Sequence, residues 1–354
     1  MPDICCVDCG SPYPAVNVPF RCPVCGGVYD FVTPFEFSPD QIESDLPGYW
    51  PYRHAFGLPP GAQIVSLGEG NTPLLWEEVG GEKLGLKFES LNPTGSYKDR
   101  GSAVLVSQLL ARGVKQAVED SSGNAGASFA AYAAQARLPG RVYVPEAASG
   151  PKRLQIEAYG AELMRIPGPR SEAAKAVLTQ AEQGVPYASH AYLPFGLAGI
   201  ATIAYEIWQQ MGRRAPAAVI APVGHGGLLL GMLRGFQALK AAGLITAEPY
   251  YVGVQATACD PVVRAFSHGL AAMSSAPELP TLAEGVRVTK PVRARALIEA
   301  ITPQTGKFIS ISEDEIDRSH RQLAQRGYYV EPTSALVWAA YGQLHSNLPQ
   351  PAVA

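Results

Sequence analysis

Residues 92 to 101 read NPTGSYKDRG and place a lysine where a turn-forming stretch gives way to a helical pattern. The helix is predicted from about Asp99 to Arg112, so Lys98 lies at its N-terminus. A cation there is disfavoured by roughly 0.3 to 1 kcal/mol, because the exposed amides already carry partial positive charge. The same potential favours the neutral amine, which is the nucleophilic form. Lys98 is therefore a candidate nucleophile; the alternative is a solvated lysine, since Asp99 and Arg100 are taken as surface charges of this turn.

A polar loop is predicted at residues 120–128, DSSGNAGAS, between a strand and a helix. It offers the side chains of Ser121, Ser122 and Asn124, and its small residues let a ligand approach the backbone closely. The alternative interpretation is an ordinary polar cap at the start of a helix. The loop is a candidate binding site for a polar ring.

A glycine-rich loop is predicted at residues 221–231, APVGHGGLLLG, again between a strand and a helix. Gly224, Gly226 and Gly227 lie at the helix start, where backbone amides form a cradle for an anion such as a phosphate. Leu229 replaces the third glycine of a dinucleotide fingerprint, and no Walker lysine follows. A lysine nucleophile, a polar loop and a separate phosphate cradle together indicate a site for pyridoxal 5'-phosphate.

Strand-like and helical stretches alternate from about residue 85, which predicts doubly wound α/β sheets with mostly parallel strands. The predicted strands lie at 86–90, 115–119, 141–146, 162–167, 217–222, 250–256 and 307–311. The predicted helices lie at 101–112, 124–136, 171–183, 199–211 and 227–242. Ser312 and Glu315 form a capping box for a further helix that ends before Gly327, and another helix begins near Pro332.

Four domain segments are predicted. Residues 1–30 form a zinc ribbon, 31–100 an arm and the first part of a large domain, 101–190 a small α/β domain, and 191–354 the rest of the large domain. Residues 351–354, PAVA, resemble the first residues of a strand. Either this last strand is very short or a C-terminal piece is missing, and the domain prediction treats the strand as missing.

Four of the six cysteines have the spacing Cys6-x2-Cys9-x12-Cys22-x2-Cys25. Paired CxxC motifs place four thiolates around one tetrahedral Zn²⁺, and a reducing compartment argues against disulfides. The alternatives are four ordinary buried cysteines, or Cys5 in place of Cys6. The spacing predicts a structural zinc.

The bulk composition excludes several classes of protein. The 354 residues are 47% hydrophobic and 17% charged, which is typical of a folded chain with a substantial core. A net charge of -3 gives no basic footprint for nucleic acid or for a membrane surface. No apolar run reaches the roughly 18 residues of a membrane span. We expect a cytoplasmic protein that acts on small molecules.

The chain resembles the threonine synthase branch of the fold-type II pyridoxal phosphate enzymes. The resemblance rests on the lysine and SSGN motifs, the glycine loop, GEGNTPLL at 68–75 and EPTSA at 331–335. Some members of that branch also carry an N-terminal zinc ribbon. The resemblance implies two doubly wound, mostly parallel sheet domains behind the ribbon, a small amino-acid substrate and, as we expect, a homodimer.

The resemblance also implies roles for individual residues. Lys98 binds the cofactor covalently and acts as the catalytic residue, and Asn124 bonds the cofactor's ring hydroxyl. Gly224, His225, Gly226 and Gly227 hold its phosphate. Glu284 and Gly285 line the pocket. Threonine synthases place a threonine of a C-terminal glycine-rich loop against the pyridine nitrogen, and this sequence lacks that loop; Thr333 and Ser334 are candidate substitutes, or else helix caps. Ser121, Ser122 and Gly123 face the substrate carboxylate, and His190 is either a substrate contact or a packed core residue.

Two departures from the family pattern concern the substrate. His225 stands where threonine synthases usually carry asparagine, and residues 189–199, SHAYLPFGLAG, lack the arginine that commonly meets the substrate phosphate. Lys152 and Arg153 are candidates to supply that charge.

The leading prediction is an enzyme that converts O-phosphohomoserine and water to threonine and phosphate. One alternative is β-elimination or β-replacement on another amino acid, as in serine/threonine deaminases or in cysteine or cysteate synthases. Another is a zinc-ribbon binding protein with an idle enzyme body.

Overall fold

The computed structural model describes residues 3–147 and 150–354. The chain packs as two compact units. Unit 1 comprises Met1–Thr72 with Glu89–Thr202, and unit 2 comprises Pro73–Phe88 with Ile203–Ala354. The predicted domain bounds, which follow the order of motifs along the chain, stay predictions.

The strands are short and mostly buried. They are β1 Ile4–Cys6, β2 Tyr29–Phe31, β3 Leu74–Val79, β4 Glu82–Lys87, β5 Ala117–Glu119, β6 Gly140–Pro145, β7 Glu162–Ile166, β8 Ala218–Pro222, β9 Tyr250–Ala256, β10 Gly306–Ile311 and β11 Ala352–Val353. The helices are α1 Lys98–Ala111, α2 Asn124–Gln135, α3 Pro151–Ala158, α4 Arg170–Glu182, α5 Gly196–Gln210, α6 Gly227–Ala241, α7 Pro261–His268, α8 Ala294–Ala300, α9 Glu313–Gln325 and α10 Pro332–Leu344. None of the helices in the described ranges is long and apolar enough to cross a membrane.

Unit 1 contains a parallel three-stranded sheet with the order β5, β6, β7. The segment that follows α4 runs beside β5, since Tyr187 forms a parallel bridge with Val118. Val118, Tyr143, Val177 and Tyr187 form a buried cluster between the sheet and α4. The ribbon consists of β1 and β2, paired antiparallel.

Unit 2 contains a six-stranded sheet with the order β10, β9, β8, β11, β4, β3. All neighbouring strands are parallel except β3 and β4, which form an antiparallel pair. Buried side chains of β8, β9 and α10, such as Ile220, Val252 and Leu336, form its core. The predicted α/β class with mostly parallel sheets is therefore confirmed, and the capping box of Ser312 and Glu315 is present.

The last residues of the chain form a very short strand, which is one of the two alternatives that the sequence left open. Ala352 and Val353 form a two-residue strand between β4 and β8, and both residues are fully buried. Hydrogen bonds from Lys87 N–H to Ala354 O and from Ala354 N–H to Gly85 O, each 2.8 Å, extend this pairing.

Other local predictions also differ from the structure, and strand β3 was not predicted. The strand predicted at 86–90 ends at Lys87, because Glu89 turns away to bind Arg100. The short helices α3, α7 and α8 were not predicted, and the first two begin with a proline, Pro151 or Pro261. Proline fits the first turn of a helix, where its missing N–H costs nothing.

Candidate functional site

Lys98 is the first residue of α1 and is half-buried. Its backbone N–H donates to Ser96 Oγ at 3.3 Å, which closes the turn that precedes the helix. Its Nζ atom lies 4.7 Å from the centroid of the Tyr97 ring. The amine therefore belongs to a helix N-terminus whose entry turn is fixed by local hydrogen bonds.

Asp99 is fully buried and ties this turn to α2. Its carboxylate accepts hydrogen bonds from Thr94 N–H at 2.7 Å, Thr94 Oγ1 at 2.6 Å and Ser128 Oγ at 2.6 Å. Burial raises the pKa of Asp99, whereas the hydrogen bonds from Ser128 and Thr94 lower it. The expectation that Asp99 is a surface charge was wrong, because the carboxylate finds its partners inside unit 1.

Arg100 is also fully buried, which corrects the second expected surface charge. Its Nε and Nη2 atoms donate to the two carboxylate oxygens of Glu89 at 2.7 and 2.8 Å, and its Nη1 atom donates to Thr202 Oγ1 at 2.9 Å. A bidentate arginine–carboxylate pair is geometrically specific. Lys98 is therefore followed by two anchored residues, which limits how far its backbone can move.

The SSGN loop connects β5 to α2, and Asn124 is the first residue of that helix. The N–H of Gly123 donates to Ser121 Oγ at 3.2 Å, and residues 121–124 are all half-buried. Amides at the start of a helix favour an anion. The predicted carboxylate-binding residues thus lie together at one helix N-terminus in unit 1.

Gly126 keeps this loop close to the first turn of α2. A Cβ atom at this position would overlap the carbonyl oxygen of Ser121, which is backbone and cannot swing away. We expect Gly126→Ala to lower the free energy of unfolding by about 1–3 kcal/mol, the typical cost of overpacking. Urea denaturation followed by circular dichroism measures this change.

Gly342→Ala is the matched control, because this exposed helical glycine of α10 has open space around the added Cβ. It is expected to be neutral or slightly stabilising, since alanine is the better helix former. Equal unfolding midpoints for Gly126→Ala and the unmodified chain would contradict the close approach at Ser121.

Glu119, at the end of β5, was not predicted as a site residue. It is 1% exposed, and its Oε1 atom lies 3.4 Å from His190 Nδ1. The pKa of Glu119 is raised well above its usual range by burial and by Asp120, whereas the charges of Lys98 and Arg170 lower it. His190 is therefore half-buried and borders a buried carboxyl group. The charge of Lys98 lowers the pKa of that carboxyl group.

The glycine loop of unit 2 runs from Gly224 to Gly227 between β8 and α6. Gly226 has a φ of +94°, and a Cβ there would lie 2.9 Å from Leu297 Cδ1. A Cβ at Gly224 would lie 2.8 Å from Gly285 O, and His225 O accepts the Arg293 N–H at 2.9 Å. A backbone cradle at the N-terminus of a long helix fits a phosphate group.

Gly285 and α10 complete the predicted residues of unit 2. The N–H of Gly285 donates to Thr333 Oγ1 at 3.1 Å, and the N–H of Ser334 donates to Glu331 O at 2.8 Å. The structure thus brings Gly224, Gly285 and Thr333 together, with Thr333 half-buried and Ser334 exposed. Lys98, the SSGN loop and His190 belong to unit 1.

The Sγ atoms of Cys6, Cys9, Cys22 and Cys25 all lie within 4.8 Å of one another. The shortest pairs are Cys6–Cys25 at 3.4 Å and Cys9–Cys22 at 3.7 Å. Four sulfurs about 2.3 Å from a tetrahedral zinc are separated by roughly 3.8 Å, so the cluster has the size of such a site. Cys6, and not Cys5, supplies the fourth thiol.

Comparisons with known sequences cover most of the chain. The profile of a family described as pyridoxal-phosphate dependent enzyme matches residues 65–354. A threonine synthase of Methanosarcina acetivorans is 32% identical over 341 residues, which cover 93% of this chain and 84% of that protein. A threonine synthase of Methanocaldococcus jannaschii is 32% identical over 342 residues, with the same shares.

Solved structures agree on the fold. The crystal structure of a T.th. threonine deaminase superposes with a TM-score of 0.69 and 29% identity, covering 80% of this chain and 90% of that chain. Threonine deaminase isoform 2 of Solanum lycopersicum covers 96% of this chain and 92% of its own with a TM-score of 0.68; at 19% identity it shows the fold alone. The chain therefore belongs to the family of pyridoxal-phosphate dependent enzymes and is a threonine synthase-like member of it.

Proposed function

We propose that this enzyme converts O-phosphohomoserine and water to threonine and phosphate. Threonine synthases match 93% of the chain, which supports this reaction above the others of the family. The structural observation that carries the proposal is the anchored lysine: Lys98 begins α1 and is followed by the buried Asp99 and Arg100. A covalently held cofactor requires such a fixed amine, because its reacting atoms must be aligned with those of the substrate.

Lys98 is proposed to bind the cofactor and then to move protons at Cα and Cβ of the substrate. Pyridoxal 5'-phosphate, when bound, supplies an electron sink for the charge that develops on the substrate carbons. The hydrogen bond from Ser128 Oγ to Asp99 fixes the turn that carries Lys98 against α2.

The glycine loop, Gly224 to Gly227, is proposed to hold the cofactor's phosphate. Its backbone amides lie at the N-terminus of α6, where an anion is favoured. Thr333 is a candidate partner for the pyridine nitrogen: its hydroxyl accepts from Gly285 and can still donate its own proton. Ser334 is the second candidate, and Asn124 is proposed to bond the ring hydroxyl.

The substrate carboxylate is proposed to lie at the amides of Ser121, Ser122 and Gly123. The substrate's phosphate needs a cation or several amides. Lys152, in the first turn of α3, donates from Nζ to Thr94 O at 2.7 Å and so lies beside the turn that carries Lys98. Its position supports a role in binding that phosphate. The segment at 189–199 has no arginine that could supply the positive charge.

A structural zinc ion is also part of the proposal. The four-cysteine cluster is proposed to hold one structural Zn²⁺, with the S–S distances of the cluster as the supporting observation. The homodimer stays a prediction.

A substrate panel tests the reaction. O-Phosphohomoserine, serine, threonine, O-acetylserine and diaminopropionate are offered separately to the cofactor-loaded enzyme, and phosphate, 2-oxo acids and amino acids are quantified. We expect phosphate and threonine in equal amounts from O-phosphohomoserine, and none from the Lys98→Ala control.

Two observations favour a second candidate. The likeness to a threonine deaminase at 29% identity, together with the absent arginine at 189–199, supports β-elimination on a smaller amino acid. Efficient 2-oxo acid formation from serine or threonine, without phosphate release from O-phosphohomoserine, would reject the threonine synthase reaction and favour the deaminase reaction.

A further inference from the structure

A residue of the cysteine ribbon packs into the core beside the three-stranded sheet of unit 1. Phe20 lies between the two cysteine pairs and packs against the buried cluster that contains Val118 and Tyr187. The ring centroids of Phe20 and Tyr187 are 5.4 Å apart and the rings are inclined at 64°, which is a favourable edge-to-face arrangement. The ribbon is therefore in direct contact with the core that supports β5.

The ribbon's own hydrogen bonds hold the chain on both sides of Phe20. The hydroxyl of Tyr13 donates to Pro19 O at 3.0 Å, immediately before Phe20. Two residues after Phe20, the N–H of Cys22 donates to Gly27 O at 2.8 Å. The position of the Phe20 ring is therefore set by the fold of the ribbon.

Tyr187 connects this aromatic contact to Asp120. Tyr187 is 4% exposed, and its hydroxyl donates to Asp120 Oδ1 at 2.6 Å. The backbone keeps the two residues aligned, because Val118 N–H donates to Pro186 O at 2.9 Å and Ala188 N–H donates to Val118 O at 2.8 Å. The Tyr187 side chain therefore has Phe20 against its ring and Asp120 at its hydroxyl.

Asp120 stands at the start of the loop that carries the candidate carboxylate-binding amides. It directly precedes the SSGN residues 121–124, and the loop enters α2 at Asn124. Near that end, Gly126 is in close contact with Ser121 O. The bond from Tyr187 is an attachment at the β5 end of the loop, and a hydrogen bond to a carboxylate is stronger than one between neutral groups.

We propose that Tyr187 is a positioning residue through which the cysteine ribbon holds the SSGN loop in the conformation that binds the substrate carboxylate. Phe20 holds the ring of Tyr187, and the hydroxyl of Tyr187 holds Asp120. The proposal rests on the proposed function in that the loop's amides are assigned there to the carboxylate of an amino-acid substrate. A displaced loop binds that carboxylate more weakly, because a hydrogen bond weakens steeply as its distance and angle depart from the ideal values.

Hydrogen–deuterium exchange of the cofactor-free protein tests these contacts without the reaction. Tyr187→Phe keeps the ring beside Phe20 but removes the hydroxyl. We expect the peptide that covers residues 120–128 to exchange roughly 3- to 10-fold faster in this variant, which corresponds to the loss of a typical hydrogen bond. Phe20→Ala is expected to change the exchange in the same direction, because the Tyr187 ring loses its neighbour. Unchanged exchange in either variant overturns the proposal.

Variants of Asp120 separate the loss of this bond from general damage. Asp120→Asn keeps an oxygen that can accept from the Tyr187 hydroxyl and should exchange like the unmodified protein, whereas Asp120→Ala should match Tyr187→Phe. The double variant of Tyr187→Phe and Asp120→Ala should exchange no faster than either single variant, because both changes remove the same bond. Additive increases in the double variant would overturn the proposal.

Tyr143→Phe is the matched control for the loss of a hydroxyl group. Tyr143 of β6 belongs to the same buried cluster as Tyr187. The control keeps the bond between Tyr187 and Asp120, so the peptide at 120–128 should exchange as in the unmodified protein. Faster exchange in Tyr143→Phe, equal to that in Tyr187→Phe, would assign the effect to the cluster as a whole and overturn the specific role of Tyr187.

Steady-state kinetics separate this inference from the proposed function. With O-phosphohomoserine as substrate and phosphate release as the readout, Tyr187→Phe and Asp120→Ala should raise KM by roughly 3- to 10-fold and leave kcat unchanged, because the loop binds the carboxylate and moves no proton. A lower kcat at an unchanged KM overturns the loop's role in holding the carboxylate. If the unmodified enzyme releases no phosphate, the proposed reaction fails, and the exchange measurements still decide whether Tyr187 holds the loop.

Discussion

Lys98→Ala is expected to lower turnover of the cofactor-loaded enzyme by at least about 10²–10⁴-fold, the usual contribution of a positioned acid–base group. The variant removes both the covalent attachment and the amine that moves protons at the substrate. Neither Asp99 nor Arg100 can replace it, because both are fully buried and engaged in hydrogen bonds. The measurement is the rate of phosphate release at saturating O-phosphohomoserine.

Two controls accompany this variant. Lys98→Arg keeps a cation at the start of α1 but lacks a nucleophilic amine, so it is expected to be as inactive as Lys98→Ala. Lys175→Ala changes an exposed lysine of α4 and is expected to retain full activity. Turnover in Lys98→Arg within tenfold of the unmodified rate would mean that the side chain at 98 acts only through its charge.

Cys22→Ser is expected to remove the bound zinc and to unfold the ribbon. The Cys22 side chain is buried, and structural zinc contributes on the order of 10 kcal/mol to folding in small isolated modules. Short strands such as β1 and β2 cannot replace that contribution through packing. Metal analysis should fall from about one zinc per chain to none, and proteolysis should begin to cleave within residues 3–31.

The loss of zinc in Cys22→Ser is expected to disturb residues outside the ribbon as well. Tyr13 packs against Phe195 with ring centroids 5.2 Å apart, and Arg21 donates to Tyr192 OH at 3.0 Å. These contacts join the ribbon to the segment that carries His190. Cys5→Ser is the matched control, because Cys5 lies outside the four-cysteine cluster; it should keep its zinc. A zinc-free Cys22→Ser chain with an undisturbed ribbon would contradict a structural role for the metal.

The sequence predicted the elements whose patterns are local. The run YYVGVQA is rich in β-formers and apolar except for Gln255, and its strand bounds match the structure. The Ser312–Glu315 capping box is likewise a signal contained in four residues. The CxxC spacing predicted a cysteine cluster because each pair is closed by its own turn, with hydrogen bonds such as Gly10 N–H to Cys6 O.

The sequence did not predict features that depend on distant partners. Arg100 is buried because Glu89 and Thr202 satisfy its guanidinium group, and Thr202 is 102 residues away. Glu119 borders His190 across 71 residues, and no local pattern marks Glu119. The sequence did contain one signal of these buried hydrogen bonds. It is the pair of consecutive charged residues, Asp99 and Arg100, next to an apolar helix.

Borohydride reduction of the cofactor-loaded enzyme tests the central claim most directly, because it fixes the cofactor to the side chain that binds it. The unmodified protein should be yellow before reduction, and peptide mapping should find the modification on the peptide that contains Lys98. Lys98→Ala should give no modified peptide. Labelling of another lysine, such as Lys152, would contradict the account.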